Sequence, residues 1–183
     1  MHLIVFLSHD NDKMTSAVLS IGSNLGDRHL NLRQARFLLL EAAGTITLQS
    51  SIYETEPWGF DTSDHFLNQV ILLETKLSAV GLIETILEIE KQLGRERTGT
   101  RYASRIIDID ILFFGEEVIL SNNLIIPHPL VQERKFILVP LCEIMPEFIH
   151  PVFEKKISDL LIECSDQSEV KDPVEKLNHI IVQ

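Results

Sequence analysis

The segment Arg105-Ile-Ile-Asp-Ile-Asp-Ile-Leu-Phe-Phe114 constrains this chain more than any other. Side chains of a strand alternate between faces, so Ile107, Ile109 and Ile111 point one way while Asp108 and Asp110 point the other. The isoleucine row needs a core against it. The aspartates, one pleat repeat apart, are the size and charge of a cation site. Acidic side chains are ordinarily solvated, and an open sheet face is the plain alternative. Asp is disfavoured in strands, however, and here it recurs inside one of the most apolar stretches of the chain. Hard oxygen ligands select Mg²⁺ or Mn²⁺, and Mg²⁺ typically combines one or two carboxylates with substrate phosphates. Asp108 and Asp110 are therefore the candidate metal ligands.

The loop before this strand supplies the matching charge. Arg95, Arg97, Arg101 and Arg105 are four basic residues in eleven, where 16 Lys and Arg spread over 183 residues would give about one. Arginine forks suit phosphate oxygens. The whole chain carries a formal charge of −11, which opposes a general nucleic-acid surface and confines any polyanion to such a local patch. Neither common phosphate-loop motif, Gly-x-x-x-x-Gly-Lys-Ser/Thr or Gly-x-Gly-x-x-Gly, is present. Gly22 to Gly26 reads as a strand-to-helix turn, with Asn24 or Asp27 as the helix cap.

The remaining pattern describes one domain. A strand over 17–21 leads to a helix from Arg28 to Ala43, with Ala35, Leu38, Leu39 and Ala42 as its apolar stripe and Gly44 as its end. Alternation from Ile46 to Ile52 marks a second strand, Pro57 to Asp64 a long loop, and Phe66 to Thr75 a third strand. A helix follows over 78–93, with Leu82, Ile86, Ile89 and Leu93 on one face. The aspartate strand comes next, then a turn at 115–117 and a short strand returning over 118–120. The order βαββαββ favours an α+β sandwich with helices packed on one face of a largely antiparallel sheet. Short helices are expected over 130–143 and 157–164. Residues 1–13 read as a prefix, 14–164 as the core and 165–183 as a polar, loosely held tail. Leu3 to Leu7 is too short for a signal-peptide core or a membrane span, which points to a cytoplasmic protein. Cys142 and Cys164 lie in apolar helical patterns and are expected to be buried and reduced. Phe66 and Asn68 share a face, an aromatic plane beside an amide, which suits a flat nitrogen-rich ring.

Several separated segments together resemble the 6-hydroxymethyl-7,8-dihydropterin pyrophosphokinases. They are Ile21-Gly-Ser-Asn-Leu-Gly26, Tyr53-Glu-Thr-Glu-Pro57 with Phe66-Leu-Asn68, Gly94-Arg-Glu-Arg97, Arg105 to Asp110, and Pro127-His-Pro129 with Arg134-Lys-Phe136 and Pro140-Leu141. The resemblance implies a ferredoxin-like α+β sandwich and an enzyme that transfers diphosphate from ATP to the pterin alcohol in folate biosynthesis. It implies that Asp108 and Asp110 hold two Mg²⁺ ions, and that Arg95 and Arg105 clamp the ATP phosphates. Arg97, His128 and Glu90 then belong to the ATP site. Phe66 and Phe136 would sandwich the pterin, with Asn68 and Thr55 at its ring edge and Trp58 and Tyr102 closing over it. The same resemblance implies small-molecule substrates, no nucleic acid or membrane partner, and a monomer. The chain departs from the pattern at Tyr102-Ala103-Ser104-Arg105, where many members have Trp-Gly-Pro-Arg, and at Trp58, where many have a smaller apolar residue. A single-stranded nucleic-acid module on the same fold is opposed by the charge and the paired aspartates. A silent homologue is opposed by the full set of aspartates, arginines, histidine and aromatics.

Overall fold

A computed structural model describes residues 13–58, 64–95 and 104–171. Among them β1 (Thr15–Ser23), α1 (Arg28–Ala42), β2 (Thr45–Gln49), β3 (Tyr53–Thr55), β4 (Phe66–Thr75), α2 (Ala79–Gln92) and β5 (Asp108–Phe114) form the repeated βαβ frame. β6 (Ile119–Leu120), β7 (Ile125–Ile126), α3 (Lys135–Ile144), α4 (Ile157–Glu163) and β8 (Val170–Lys171) follow. The main sheet runs β5-β1-β4-β3-β8, with β2 also paired to β4. Every pairing in it is antiparallel. With β1 and β4 central, this is the ferredoxin-like order.

The helix boundaries follow from their caps. Asp27 accepts from Leu30 N at 2.9 Å to start α1, and Ser78 accepts from Gly81 N at 3.1 Å to start α2. Gly44 turns the chain where β2 begins, at φ +151°, and a Cβ there would lie 2.1 Å from the Glu74 carbonyl oxygen. No other residue fits. On α1 the buried stripe is Leu32, Ala35 and Leu39, and Ala42 is exposed; the stripe on α2 is the expected one.

Two apolar clusters lie on opposite sides of the sheet. One packs Leu19, Ile21, Ile71, Ile107, Ile109 and Ile111 against α1 and α2. The other packs Val18, Val70, Leu112 and Phe113 against α3 and α4. Helices thus cover both faces, because the C-terminal third supplies a second pair. Cys142 and Cys164 edge this second cluster, free and half-buried rather than buried. That second pair covers only part of its face. Toward the other end of β1, β4 and β5, the same face carries Ser20, Gly22, Phe66, Asn68, Asp108 and Asp110 instead of core residues, and it remains open.

Three elements differ from the sequence reading. The alternation over 46–52 covers β2 and a link over 50–52 that leads to β3, and both strands pair with β4. Ser50 stays on β4, its N–H donating to Val70 O and its Oγ accepting from Val70 N, while Ser51 donates to Glu143. The returning strand β6 pairs with β7 rather than β5, because Ser121 closes its own turn with Leu124. Residues 165–171 are held, since β8 pairs with β3. No helix among the described residues is long and apolar enough to cross a membrane.

Candidate active site

The slot on the open sheet face is built from three adjacent strands. Gly22 on β1 lies opposite Asn68 of β4 on one side and Asp108 of β5 on the other. A Cβ at position 22 would come within 2.8 Å of Asn68 Oδ1, so a glycine keeps the floor flat. Gly22 therefore belongs to the strand and not to the turn after it. Asn68 is buried and donates to Thr55 Oγ1 at 2.7 Å, which fixes the amide orientation against β3. Phe66, Thr55, Glu56 and Trp58 complete that wall. Across from them Arg134 and Phe136, at the start of α3, form the roof. The Arg134 guanidinium carbon lies 4.9 Å from the Trp58 ring centre and 5.6 Å from that of Phe136, within cation–π range.

The charged end of the slot is Asp108, Asp110 and their arginines. Asp108 binds Arg105 Nη1 at 2.6 Å through one oxygen and Arg95 Nη1 at 2.5 Å through the other. Arg95 also pairs with Glu90, a buried residue of α2 that accepts from Ile109 N at 2.8 Å. Ile109 is on an edge strand, and Glu90 satisfies an amide that no neighbouring strand reaches. Burial, reinforced by Asp108 and more weakly by Glu90, pushes the Asp110 carboxyl up to about 7, against the lowering influence of Arg134 and Arg95.

Asp110 borders a second concavity as well. Its other walls are Ile83, Ile111, residues 122–125, His128 and Pro129. His128 is fixed there by its main-chain N–H, which donates to Leu112 O at 2.9 Å, and by Nδ1, which accepts from Leu130 N. The fold therefore brings together Thr55, Trp58, Phe66, Asn68, Arg105, Asp108, Asp110 and Phe136 in one slot, with Arg95 and Glu90 behind Asp108 and His128 in the adjoining hollow. Arg97 and Tyr102 lie outside the described residues.

Sequence reasoning gave no role to Arg134, Gly22, Ser20 or Glu56 at the slot. A lone glycine within a strand signals close backbone approach and was the available clue to Gly22. Asn24 was read only as a possible helix cap. It accepts from Arg105 N at 2.7 Å, donates through Nδ2 to Ser104 Oγ at 3.0 Å, and donates through its main chain to Arg105 O at 3.2 Å. It anchors the end of the arginine loop to β1.

The donor set fits Mg²⁺. Asp110 is half-buried, its carboxylate desolvated beside the like charge of Asp108. Two carboxylates with the remaining positions left for phosphate and water is the usual arrangement for Mg²⁺.

Residues 18–146 match the model of the 7,8-dihydro-6-hydroxymethylpterin-pyrophosphokinase (HPPK) family. The chain belongs to that family. The 2-amino-4-hydroxy-6-hydroxymethyldihydropteridine pyrophosphokinase of Bacillus subtilis is 46% identical over 129 residues, 70% of this chain and 77% of that one. The enzyme of the same name from Aquifex aeolicus is 38% identical over 80% of this chain and 90% of its own. The folate synthesis bifunctional protein of Arabidopsis thaliana is 39% identical over 76% of this chain, which spans 29% of that longer protein. A crystal structure of Plasmodium falciparum HPPK-DHPS superposes with a TM-score of 0.70 at 20% identity, over 85% of this chain and 44% of that one, and it supports the fold. This pyrophosphokinase is a diphosphotransferase of folate synthesis that uses ATP as co-substrate.

Proposed function

We propose that the slot holds 6-hydroxymethyl-7,8-dihydropterin and the adjoining hollow holds ATP, so that the two substrates meet over Asp110. The observation that carries this is the position of Asp110 as a shared wall of both concavities. The pterin ring lies between Phe66 and Phe136, its edge read by Asn68 and Thr55, with Trp58 beside it. Flat aromatic walls with a fixed amide select a planar heterocycle. His128 contacts the nucleotide. The family resemblance alone assigns Tyr102 to the pterin and Arg97 to ATP, since both lie outside the described residues.

The reaction needs alignment and charge neutralisation more than covalent help. The hydroxymethyl oxygen forms a bond to the β-phosphorus of ATP, the bond from that phosphorus to the α–β bridging oxygen breaks, AMP leaves with that oxygen, and the alcohol proton is lost. Asp108 and Asp110 would hold Mg²⁺, two ions in the full complex, which would offset charge on the phosphate oxygens. Arg95 and Arg105, both paired with Asp108, clamp the ATP phosphates, and Glu90 holds Arg95 beside Asp108. One of the aspartates would accept the alcohol proton. The same reading has the protein act as a monomer on small molecules in the cytoplasm.

An assay with ATP, Mg²⁺ and the dihydropterin that separates AMP from ADP tests the proposal. AMP should appear in step with the pterin diphosphate and vanish in Asp110→Ala. ATP binding without AMP would mean a silent homologue, with Tyr102-Ala103-Ser104 the first suspect.

A further inference from the structure

The roof and the wall of the slot are separate elements, and one short stretch of chain is fastened to both. The roof residues Arg134 and Phe136 stand at the start of α3, whose own N-cap, Arg134, makes no side-chain capping bond. The cap comes from 31 residues away: Asp166 Oδ2 accepts from Lys135 N at 3.0 Å. Its Oδ1 accepts from Ser168 N at 2.9 Å, and Lys135 Nζ donates to Ser168 O at 3.3 Å, which closes a ring of contacts around the helix start. Two residues further on, Val170 and Lys171 pair with Thr55 and Glu54 of the wall strand β3. Lys171 Nζ reaches Glu54 Oε1 at 3.0 Å. Arg28 Nη2 holds the other oxygen of Glu54 at 3.2 Å, which ties β3 to α1 as well.

We propose that residues 165–171 are a brace that sets the distance between the roof and the wall of the pterin slot, with Asp166 as its positioning residue. The inference rests on the reading of the slot as the pterin site. These residues lie beyond the stretch that matches the family model, residues 18–146. The brace meets the slot's elements through the main chain of β3 and the first turn of α3. Its effect is therefore on how well the slot is formed for the pterin, with little effect on the ATP hollow across Asp110.

The chain contains one tryptophan, Trp58, and it stands in the slot wall, so intrinsic fluorescence reports pterin binding directly. The comparison is between the full chain, a chain ending at Cys164, a chain ending at Lys171, Asp166→Ala and Asp166→Asn, each first shown to melt cooperatively. Ending the chain at Cys164, or Asp166→Ala, should weaken dihydropterin binding and raise its KM by roughly fivefold, the size expected for a lost helix cap, with the KM for ATP and kcat nearly unchanged. Asp166→Asn keeps an acceptor for Lys135 N and should recover most of the affinity. Ending the chain at Lys171 should leave pterin affinity as it was. Equal losses for ATP and pterin, no loss in the chain ending at Cys164, or the same loss in the chain ending at Lys171 would each overturn the brace. Phe136→Ala separates the two readings. If it leaves pterin affinity unchanged, the slot assignment fails and the brace with it. If Phe136→Ala weakens pterin binding while the chain ending at Cys164 and Asp166→Ala do not, the slot stands and the brace alone fails.

Discussion

The Asp110 carboxyl titrates at about 7, while the same group in an unfolded chain loses its proton near 4. Between those values the folded protein binds the additional proton, so this group's contribution to stability is complete at acid pH and is lost as the pH rises toward 7. Asp110→Asn removes that loss by keeping the shape without the charge. Without Mg²⁺ the variant should melt a few degrees above the parent at pH 8 and near it at pH 4, while turnover falls by about two orders of magnitude. Thermal scans at the two pH values, beside the AMP assay, check both halves; equal melting at pH 8 would mean the buried charge is already compensated. Arg105 makes a different prediction. It holds Asp108 at 2.6 Å, with its main chain anchored by Asn24, so its side chain is fixed at the charged end of the slot. Arg105→Ala should depress kcat far more than it weakens ground-state ATP binding, as steady-state kinetics beside a nucleotide titration would reveal. Equal losses would give Arg105 a uniform binding role.

Among the elements, α3 is joined to the β2–β3 link by one carboxylate. Glu143 accepts from Ser51 N and Ser51 Oγ, both at 2.8 Å, and from the Tyr53 hydroxyl at 3.1 Å. Ser51 and Tyr53 are buried, so Glu143→Ala strands donors that water reaches poorly. The expected cost is about 2–3 kcal/mol of unfolding free energy, read as a lower urea midpoint at unchanged slope. Tyr53→Phe, which deletes one donor, should cost less than half as much. A Glu143→Ala midpoint at the parent value would show the clamp to be solvent-equivalent. The same clamp explains why the alternation over 46–52 is legible as strand while the break within it is not. The period-2 pattern is local, but the partner that draws Ser51 out of the ladder is a glutamate 92 residues away. Phe66 to Thr75 and the α2 stripe, whose determinants are local, read correctly from the sequence.

At the scale of the whole molecule, His150 makes stability sensitive to acid; it packs between Phe113 and Phe153 with ring centres 5.3 and 4.6 Å away. Its Nδ1 accepts from Val152 N and Phe153 N, a role open only to the neutral ring, and burial holds it below the usual imidazole range. The unfolded chain takes up this proton near pH 6.5 and the folded one only at lower pH, so stability is lost as the pH falls below about 6.5. His150→Gln should flatten that acid limb in melting curves between pH 7.5 and 5.5; an unchanged slope would place the titrating group elsewhere. The opposite slopes of His150 and Asp110 partly cancel around neutrality. The sequence by itself determined the strand that carries Asp108 and Asp110, the two helices, the βαββαββ order and, through the family resemblance, most of the slot's chemical inventory. Alternation, capping and a dense arginine run are properties of neighbouring residues. Only the tertiary structure decided that Arg134 stacks beside Trp58, that Glu90 satisfies an edge amide of β5, that Gly22 forms the slot floor, and that Asp166 caps α3. Those contacts join side chains or strands far apart in the chain, and a pairing that depends on how layers dock leaves no periodic trace in the sequence.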